Sequence, residues 1–202
     1  MPIDTALALA GFAFVMSASP GPGNFLLLTS GVNFGFVRSV PLILGISLGF
    51  LTMVALVGLG LGHLLTAFPM IGLGIRLACG VYVVWLAIRI ARSRSLGSGG
   101  ETRVGKPFSF TEAAMLQLFN PKAWTVAIIV TASYVDPATP RKSLAVLLLV
   151  FAAVNVPTIS IWAVSGTALR LFLGQGNRVV WFNLAMAALL LAAMVPVIFA
   201  GA

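Results

Sequence analysis

Charged residues are scarce in this chain, and their scarcity indicates what kind of protein it is. Only 8% of the 202 residues are charged, whereas 60% are hydrophobic and the mean hydropathy is +1.10. Soluble domains carry about 25% charged residues. Because the chain has too few polar side chains to cover a water-facing surface, we predict a single transmembrane domain over 1–202, with the lipid bilayer as its solvent.

Acids, cysteine and histidine are also few, which disfavours several kinds of chemistry. The chain has four acids, one cysteine and one histidine. A lone Cys79 excludes an intramolecular disulfide, and a membrane electron carrier of the disulfide-reductase type would need two cysteines. A metal site would need several carboxylate, thiolate or imidazole ligands. We therefore predict no metal and no cofactor.

One short motif resembles the nucleophile turn of hydrolases. Gly45-Ile-Ser-Leu-Gly49 matches G-x-S-x-G, but it lies in a continuous apolar segment rather than in a strand-to-helix turn. The only histidine, His63, is more than four helical turns away. We predict that the protein is not an enzyme.

Basic residues give a net charge of +8 and indicate an orientation rather than a nucleic-acid partner. They lie between apolar segments and do not form a basic face with interleaved aromatics. Eight of them border the first, third and fifth connections, and three border the second and fourth. The positive-inside rule then predicts a cytoplasmic central linker and both termini outside the cell membrane.

Six apolar segments are long enough to cross a membrane, which takes about 20 residues each. We predict helices for all of them, near 5–30, 40–65, 69–91, 110–134, 143–168 and 178–200. The first segment could be mistaken for a signal peptide, but it lacks a basic start.

A polar, Gly/Ser-rich linker over 92–109 divides the chain into repeats 1–91 and 110–202. Three helices in each half would place the halves in opposite orientations. The prediction is an all-α membrane protein of two inverted three-helix repeats.

The first segment contains a helix break, Ser19-Pro-Gly-Pro-Gly-Asn24. Pro20 and Pro22 remove backbone donors, and Gly21 permits non-helical dihedral angles. The helix is expected to restart near Asn24, where unpaired N–H groups would suit a carboxylate. An ordinary proline kink is the alternative. Two such breaks, one leading each half, are typical of a transporter's substrate site.

The second break, Gln117-Leu-Phe-Asn-Pro-Lys122, leads the other half, and Gln117 is one of its candidate substrate-binding residues. It places Asn120, Pro121 and Lys122 within an apolar segment, and a lysine at that depth is costly and usually functional. No acid lies at the same depth. The simplest partner is a transported carboxylate, while a lysine that snorkels to the interface is the alternative. Glu112, near the cytoplasmic end of this segment, is a candidate for proton coupling.

The fifth segment carries Asn155, Thr158 and Trp162 on one helical face. Asn155 and Trp162 are candidates for the lining of a substrate pathway, and interhelical hydrogen bonding is the equal alternative. For Asn183 in the sixth segment we favour interhelical hydrogen bonding. Glycines at four-residue spacing predict close helix packing inside the molecule: Gly31/Gly35, Gly45/Gly49 and Gly58/Gly62.

Over nearly its whole length the chain resembles the LysE/RhtB family of bacterial amino-acid exporters. The resemblance rests on Ser19–Asn24, Gly45–Phe50, Gly80–Leu86, Phe119–Lys122 and Trp162–Gly166. The second and last of these stretches are most similar to the cysteine/O-acetylserine exporter branch. Many relatives carry an acid near the position of Asn155, and its absence here disfavours basic substrates.

The resemblance implies a proton-driven exporter of neutral or small polar amino acids, such as cysteine/O-acetylserine, threonine/homoserine or branched-chain types, in the bacterial inner membrane. It implies importance for Pro20, Gly21, Pro22, Asn24, Asn120, Pro121 and Lys122. An exporter of an inorganic anion or another carboxylate metabolite is the alternative, as is another membrane carrier of the same superfamily. The sequence leaves a homo-oligomer open.

Overall fold

Residues 2–61, 69–92, 106–173 and 177–193 are described by the computed structural model, and the secondary structure of these parts is helical. Within them eight α-helices follow in chain order: α1 Ile3–Ala18, α2 Pro22–Phe34, α3 Phe36–Leu56, α4 Pro69–Ala91, α5 Phe110–Leu118, α6 Pro121–Tyr134, α7 Pro140–Leu173 and α8 Arg178–Ala192. A π-helical turn, Val57–Leu61, continues α3. His63, most of the predicted linker and the end of the sixth segment lie outside the described residues.

Two helices are long and apolar enough to cross a membrane alone, Phe36–Leu61 and Pro140–Leu173. Two bent pairs can each form one further span. Helices α1 and α2 meet at 58°, and α5 and α6 meet at 67°. Shorter apolar helices cover Leu77–Ala91 and Arg178–Ala192. The predictions of an all-helical chain and of broken first and fourth segments are therefore confirmed, with two to four candidate spans.

A sharp turn at Gly35 separates the first predicted segment from the second. The first segment therefore continues to Phe34 instead of ending near residue 30, and the second begins at Phe36 instead of near residue 40. Gly35 has a φ of 83°, a left-handed conformation that favours glycine. Its N–H bonds to the Gly31 carbonyl at 2.9 Å, which closes α2. Helix α3 then starts at Phe36, so the connection between the first and second segments is a single residue.

Packing joins the two halves of the chain. The broken pair α1 and α2 lies along α7, and α5 lies along α3. Helices α4 and α8 pack against each other. Each broken segment thus contacts the second segment of the other half, while the two third segments pair together.

Glycines allow the backbones to approach closely at these crossings. A Cβ added at Gly31 would meet the Ala163 carbonyl, and one added at Gly166 would meet the Leu28 carbonyl. Gly45 and Gly49 face the backbone of α5 in the same way. These crossings are intramolecular, as the glycine spacing predicted. Large apolar side chains such as Leu7, Val37 and Phe172 face outward, in agreement with a lipid environment.

Candidate functional site

A cavity lies between the two helix breaks and measures about 470 Å³ including its open side. Six helices and both breaks contribute to its walls. The lining residues are Met16, Ser17, Gly21, Gly23, Asn24, Ile46, Phe50, Gln117, Asn120, Lys122, Ala123, Val126, Phe151, Asn155 and Ile159. Six of the ten residues predicted to bind substrate are among them: Gly21, Asn24, Gln117, Asn120, Lys122 and Asn155.

Asn24 satisfies the carbonyl groups that the first break exposes. Helix α1 ends at Ala18, so its last carbonyls lack helical partners. The Asn24 side-chain amide donates to the Ser17 and Ser19 carbonyls, each at 2.8 Å. Helix α2 restarts near Asn24 as predicted, with Pro22 as its first residue, because Gly21 is extended and proline suits the first helical position. Asn24 therefore lies in the first turn and points back to α1.

Lys122 links the second break to the first. Its ammonium donates to the Ser19 carbonyl at 2.6 Å. Its aliphatic chain lies across Gly21, where an added Cβ would be 2.8 Å from Lys122 Cδ. None of the residues that line the cavity is acidic. The positive charge of Lys122 is thus met by a carbonyl dipole, and the described residues around the cavity offer it no carboxylate.

The second break is held by the amides of Asn120 and Gln117. Asn120 caps α6, since its Oδ1 accepts the Lys122 backbone N–H at 3.2 Å. Its Nδ2 donates to Gln117 Oε1 at 3.2 Å. The other end of the Gln117 amide, Nε2, is buried and has no hydrogen-bond partner among the described residues.

Asn155 connects three helices at the cavity wall. Its Oδ1 accepts from Ser47 Oγ on α3 at 2.8 Å, and its Nδ2 donates to Ser17 Oγ on α1 at 2.9 Å. Sequence reasoning did not select either serine. Ser47 lies in the hydrolase-like motif and in one stretch that carries the family resemblance, but neither pattern gives it a role. Ser17 is a single serine in an apolar segment, which gives no signal.

The other four residues predicted to bind substrate do not line the cavity. The prolines Pro20, Pro22 and Pro121 flank the breaks, where they shape the backbone. Trp162 packs edge-on against Phe25, with ring centroids 6.2 Å apart. Their roles toward a substrate stay predictions.

Glu112 is held in local interactions at the start of α5. It pairs with Arg89 at 2.8 Å and completes a capping box with Ser109. Its predicted part in proton coupling is untested by this arrangement.

Asn183 forms the interhelical contact that the sequence favoured. Asn33 Nδ2 donates to Asn183 Oδ1 at 3.1 Å, and Asn183 Nδ2 donates to Asn33 Oδ1 at 3.4 Å. Both residues are buried, so this amide pair joins α2 to α8 away from the cavity.

Comparison with known proteins agrees with this architecture. Residues 14–199 match the family model described as LysE type translocator. The cysteine/O-acetylserine efflux proteins of Escherichia coli O1:K1 and of Escherichia coli O157:H7 are each 31% identical to the chain. Each alignment covers 191 residues, which is 93% of this chain and 94% of the relative.

The corresponding protein of Escherichia coli strain K12 is 30% identical over the same shares. No solved structure matches the chain. The family match covers most of the chain and includes both helix breaks and every residue that lines the cavity. The chain belongs to the LysE translocator family, as a multi-pass membrane protein that is an efflux transporter rather than an enzyme.

Proposed function

We propose that the protein is a secondary exporter of neutral or small polar amino acids, or of their derivatives, across the bacterial cytoplasmic membrane. The observation that carries this proposal is the Lys122 ammonium at the wall of a cavity with no acidic lining residue. A positive charge in such a place favours a ligand with a carboxylate. The relatives named for cysteine and O-acetylserine efflux support the same substrate class.

The hydrogen bonds at the first break suggest how a zwitterion would bind. In the structure, the Ser19 carbonyl accepts from both Asn24 and Lys122. A substrate carboxylate would attract the Lys122 ammonium more strongly than a neutral carbonyl does. The Ser19 carbonyl would then lose one donor and accept a bond from the substrate ammonium. A bound amino acid would thus replace the hydrogen bond between Lys122 and the Ser19 carbonyl with two contacts, its carboxylate to Lys122 and its ammonium to the Ser19 carbonyl.

The packing between the halves supports two inverted repeats, about 1–91 and 110–202, joined by a cytoplasmic linker. Exchanging the first segment with the fourth, the second with the fifth and the third with the sixth leaves the three main pairings described above unchanged. A pseudo-two-fold axis would produce this exchange. Alternating access would then come from one repeat rocking against the other around the cavity.

We propose that the inward proton gradient drives export, with Glu112 as the group that takes the incoming proton at the cytoplasmic mouth and then releases it into the cytoplasm. Glu112 lies at the start of α5, outside the cavity, with Arg89 as its partner. Proton uptake there would break this ion pair and free α5 from α4. Cofactors and metals have no part in this scheme.

The proposal is tested by counterflow in proteoliposomes with a panel of labelled amino acids. We expect wild-type protein to take up at least one neutral amino acid. Lys122→Met should lower this uptake by about ten- to hundredfold, since loss of one charge-assisted contact costs about 1.5–3 kcal/mol. Lys142→Met is the matched control, because Lys142 is exposed at the start of α7 and should be dispensable.

Equal uptake by wild type and Lys122→Met would contradict a carboxylate site at Lys122. Absence of counterflow for every amino acid would contradict the proposed substrate class. In that case chloride, sulfate and phosphate should be tested next, since Lys122 would also suit an inorganic anion.

A further inference from the structure

The side-chain nitrogen of Gln117 is a buried donor without a partner. Gln117 is 2% exposed, and its Nε2 finds no hydrogen-bond acceptor among the described residues. A buried amide that lacks a partner is costly, and most such groups in native proteins are satisfied. Because Gln117 lines the cavity, a ligand held there could supply the missing acceptor.

The hydrogen-bond network fixes which end of the Gln117 amide is free. The Lys122 backbone N–H can only donate, so the Asn120 atom that it meets at 3.2 Å must be the oxygen Oδ1. Asn120 then directs its nitrogen toward Gln117, and the Gln117 atom at 3.2 Å must be the oxygen Oε1. The remaining atom of Gln117 is therefore a donor, whatever the assignment of either amide taken alone.

Gly23 leaves room beside this donor. A Cβ added at Gly23 would lie 3.8 Å from Gln117 Nε2 and 3.6 Å from Ile46 Cδ1, which are ordinary contact distances. Lys122, by contrast, lies across Gly21. The two donors of the second break thus meet the start of α2 at two different residues.

We propose that Gln117 is the specificity-determining residue of the cavity and that its Nε2 donates to an acceptor oxygen in the substrate side chain. Lys122 takes the substrate carboxylate, so this inference rests on the proposed function. An aliphatic substrate would leave Nε2 buried and unpaired. Sites built to donate a hydrogen bond discriminate strongly against analogues that lack its acceptor.

The experiment compares isosteric substrates in which a hydroxyl replaces a methyl group, homoserine with norvaline and threonine with valine. For each pair, kcat/KM is measured in proteoliposomes. Wild-type protein should prefer the oxygen-containing member by at least about tenfold. Gln117→Met has a similar volume but no donor, and it should reduce the preference to within about threefold, mainly by improving norvaline and valine.

Thr29→Val is the matched control for this substitution. The Thr29 hydroxyl is also buried without a hydrogen-bond partner among the described residues, but Thr29 does not line the cavity. Thr29→Val should have the same ratio of kcat/KM for the oxygen-containing substrate over its analogue as the wild type. A ratio that changes equally in both variants would overturn the assignment to Gln117.

A second variant tests the donor without changing Gln117. Gly23→Ala would place a methyl group beside Nε2 at an ordinary contact distance, and it should also lower the preference ratio. Gly11→Ala is its control, since a Cβ at Gly11 would meet nothing within 4 Å.

The possible results separate this inference from the proposed function. A wild-type ratio near one, or a ratio retained in both Gln117→Met and Gly23→Ala, would overturn the role of Gln117. The proposed function would still stand if Lys122→Met lowered uptake as expected. Wild-type protein that moved none of these four amino acids, and no other amino acid of the counterflow panel, would overturn both.

Discussion

Asn155 joins three helices through a single side-chain amide. It accepts from Ser47 on α3 and donates to Ser17 on α1, and all three residues are buried. These bonds cross-link the first, second and fifth segments at the cavity wall. Asn155 is therefore a structural link between helices, whatever contact it makes with a substrate.

Replacing Asn155 with leucine should destabilise the protein through the two serines it leaves unpaired. Interhelical hydrogen bonds in membranes are worth about 0.6–1.7 kcal/mol each, so we expect a loss of about 1–3 kcal/mol in the free energy of unfolding. Thermal unfolding of purified protein in detergent would show this as a lower midpoint. Thr158→Val is the control, since Thr158 is buried in α7 but donates to Val154 of its own helix. Equal shifts for the two variants would contradict the cross-linking role.

The residues that the sequence could identify are those that are unusual in an apolar segment. Lys122, Asn120 and the prolines of the first break stand out because membrane helices rarely tolerate them without a reason. Ser17 and Ser47 could not be found in this way, because serine is common in such helices. Their partner Asn155 lies 138 and 108 positions away, and nothing local in the sequence encodes that contact.

Glycines allow the backbones of α2 and α7 to approach closely where these two helices cross. Gly31 on α2 faces the Ala163 carbonyl, and Gly166 on α7 faces the Leu28 carbonyl. Each helix thus contributes one glycine to the crossing, and each glycine lies against the backbone of the other helix. Backbone atoms cannot move aside as a flexible side chain can, so this crossing requires residues without a Cβ.

Gly166→Ala should therefore separate α2 from α7 and destabilise the protein by about 1–3 kcal/mol, the usual cost of overpacking. The same unfolding measurement in detergent would report it. Gly80→Ala is the matched control, because a Cβ at Gly80 in α4 would meet nothing within 4 Å. Alanine there should leave the midpoint unchanged or raise it slightly, since alanine favours helix by about 1 kcal/mol over glycine. A midpoint lowered by Gly80→Ala and not by Gly166→Ala would contradict this account.

Helix limits were predicted less well than helix breaks. The breaks at Pro20–Pro22 and at Pro121 follow directly from the missing backbone donors of proline. The first segment was predicted to end near residue 30, whereas α2 ends at Phe34, and Gly35 was considered only as a packing glycine. Its φ of 83° makes it the turn between α2 and α3, a role that glycine spacing alone does not distinguish.

At the scale of the whole molecule, composition was sufficient to predict a helical membrane protein, and the division into two halves at the linker stays a prediction. The way in which the halves pack could not be predicted. Helix α7 contacts the first broken segment, and α3 contacts the second, through glycines whose partners lie in the other half. Such contacts depend on which faces meet after folding, and apolar residues all around these helices leave several faces equivalent.

Orientation in the membrane is the last prediction, and the chain offers a simple way to measure it. Cys79 is the only cysteine and is 2% exposed, so Cys79→Ala should give a background without reactive thiols. Lys106 and Asp136 are both exposed, and they lie before α5 and after α6. They therefore lie at opposite ends of the fourth segment, and a single cysteine introduced at either position reports one side of the membrane.

With the central linker in the cytoplasm, as the positive-inside rule predicts, a membrane-impermeant maleimide should label Asp136→Cys in intact spheroplasts. Lys106→Cys should be labelled only after the membrane is permeabilised. The reverse pattern would place the linker outside, and Glu112 would then face the wrong side to take a proton at the cytoplasmic mouth. Labelling of both positions in sealed spheroplasts would mean that α5 and α6 form a re-entrant loop rather than one broken span. The 67° bend between these helices would then return the chain to the side from which it entered.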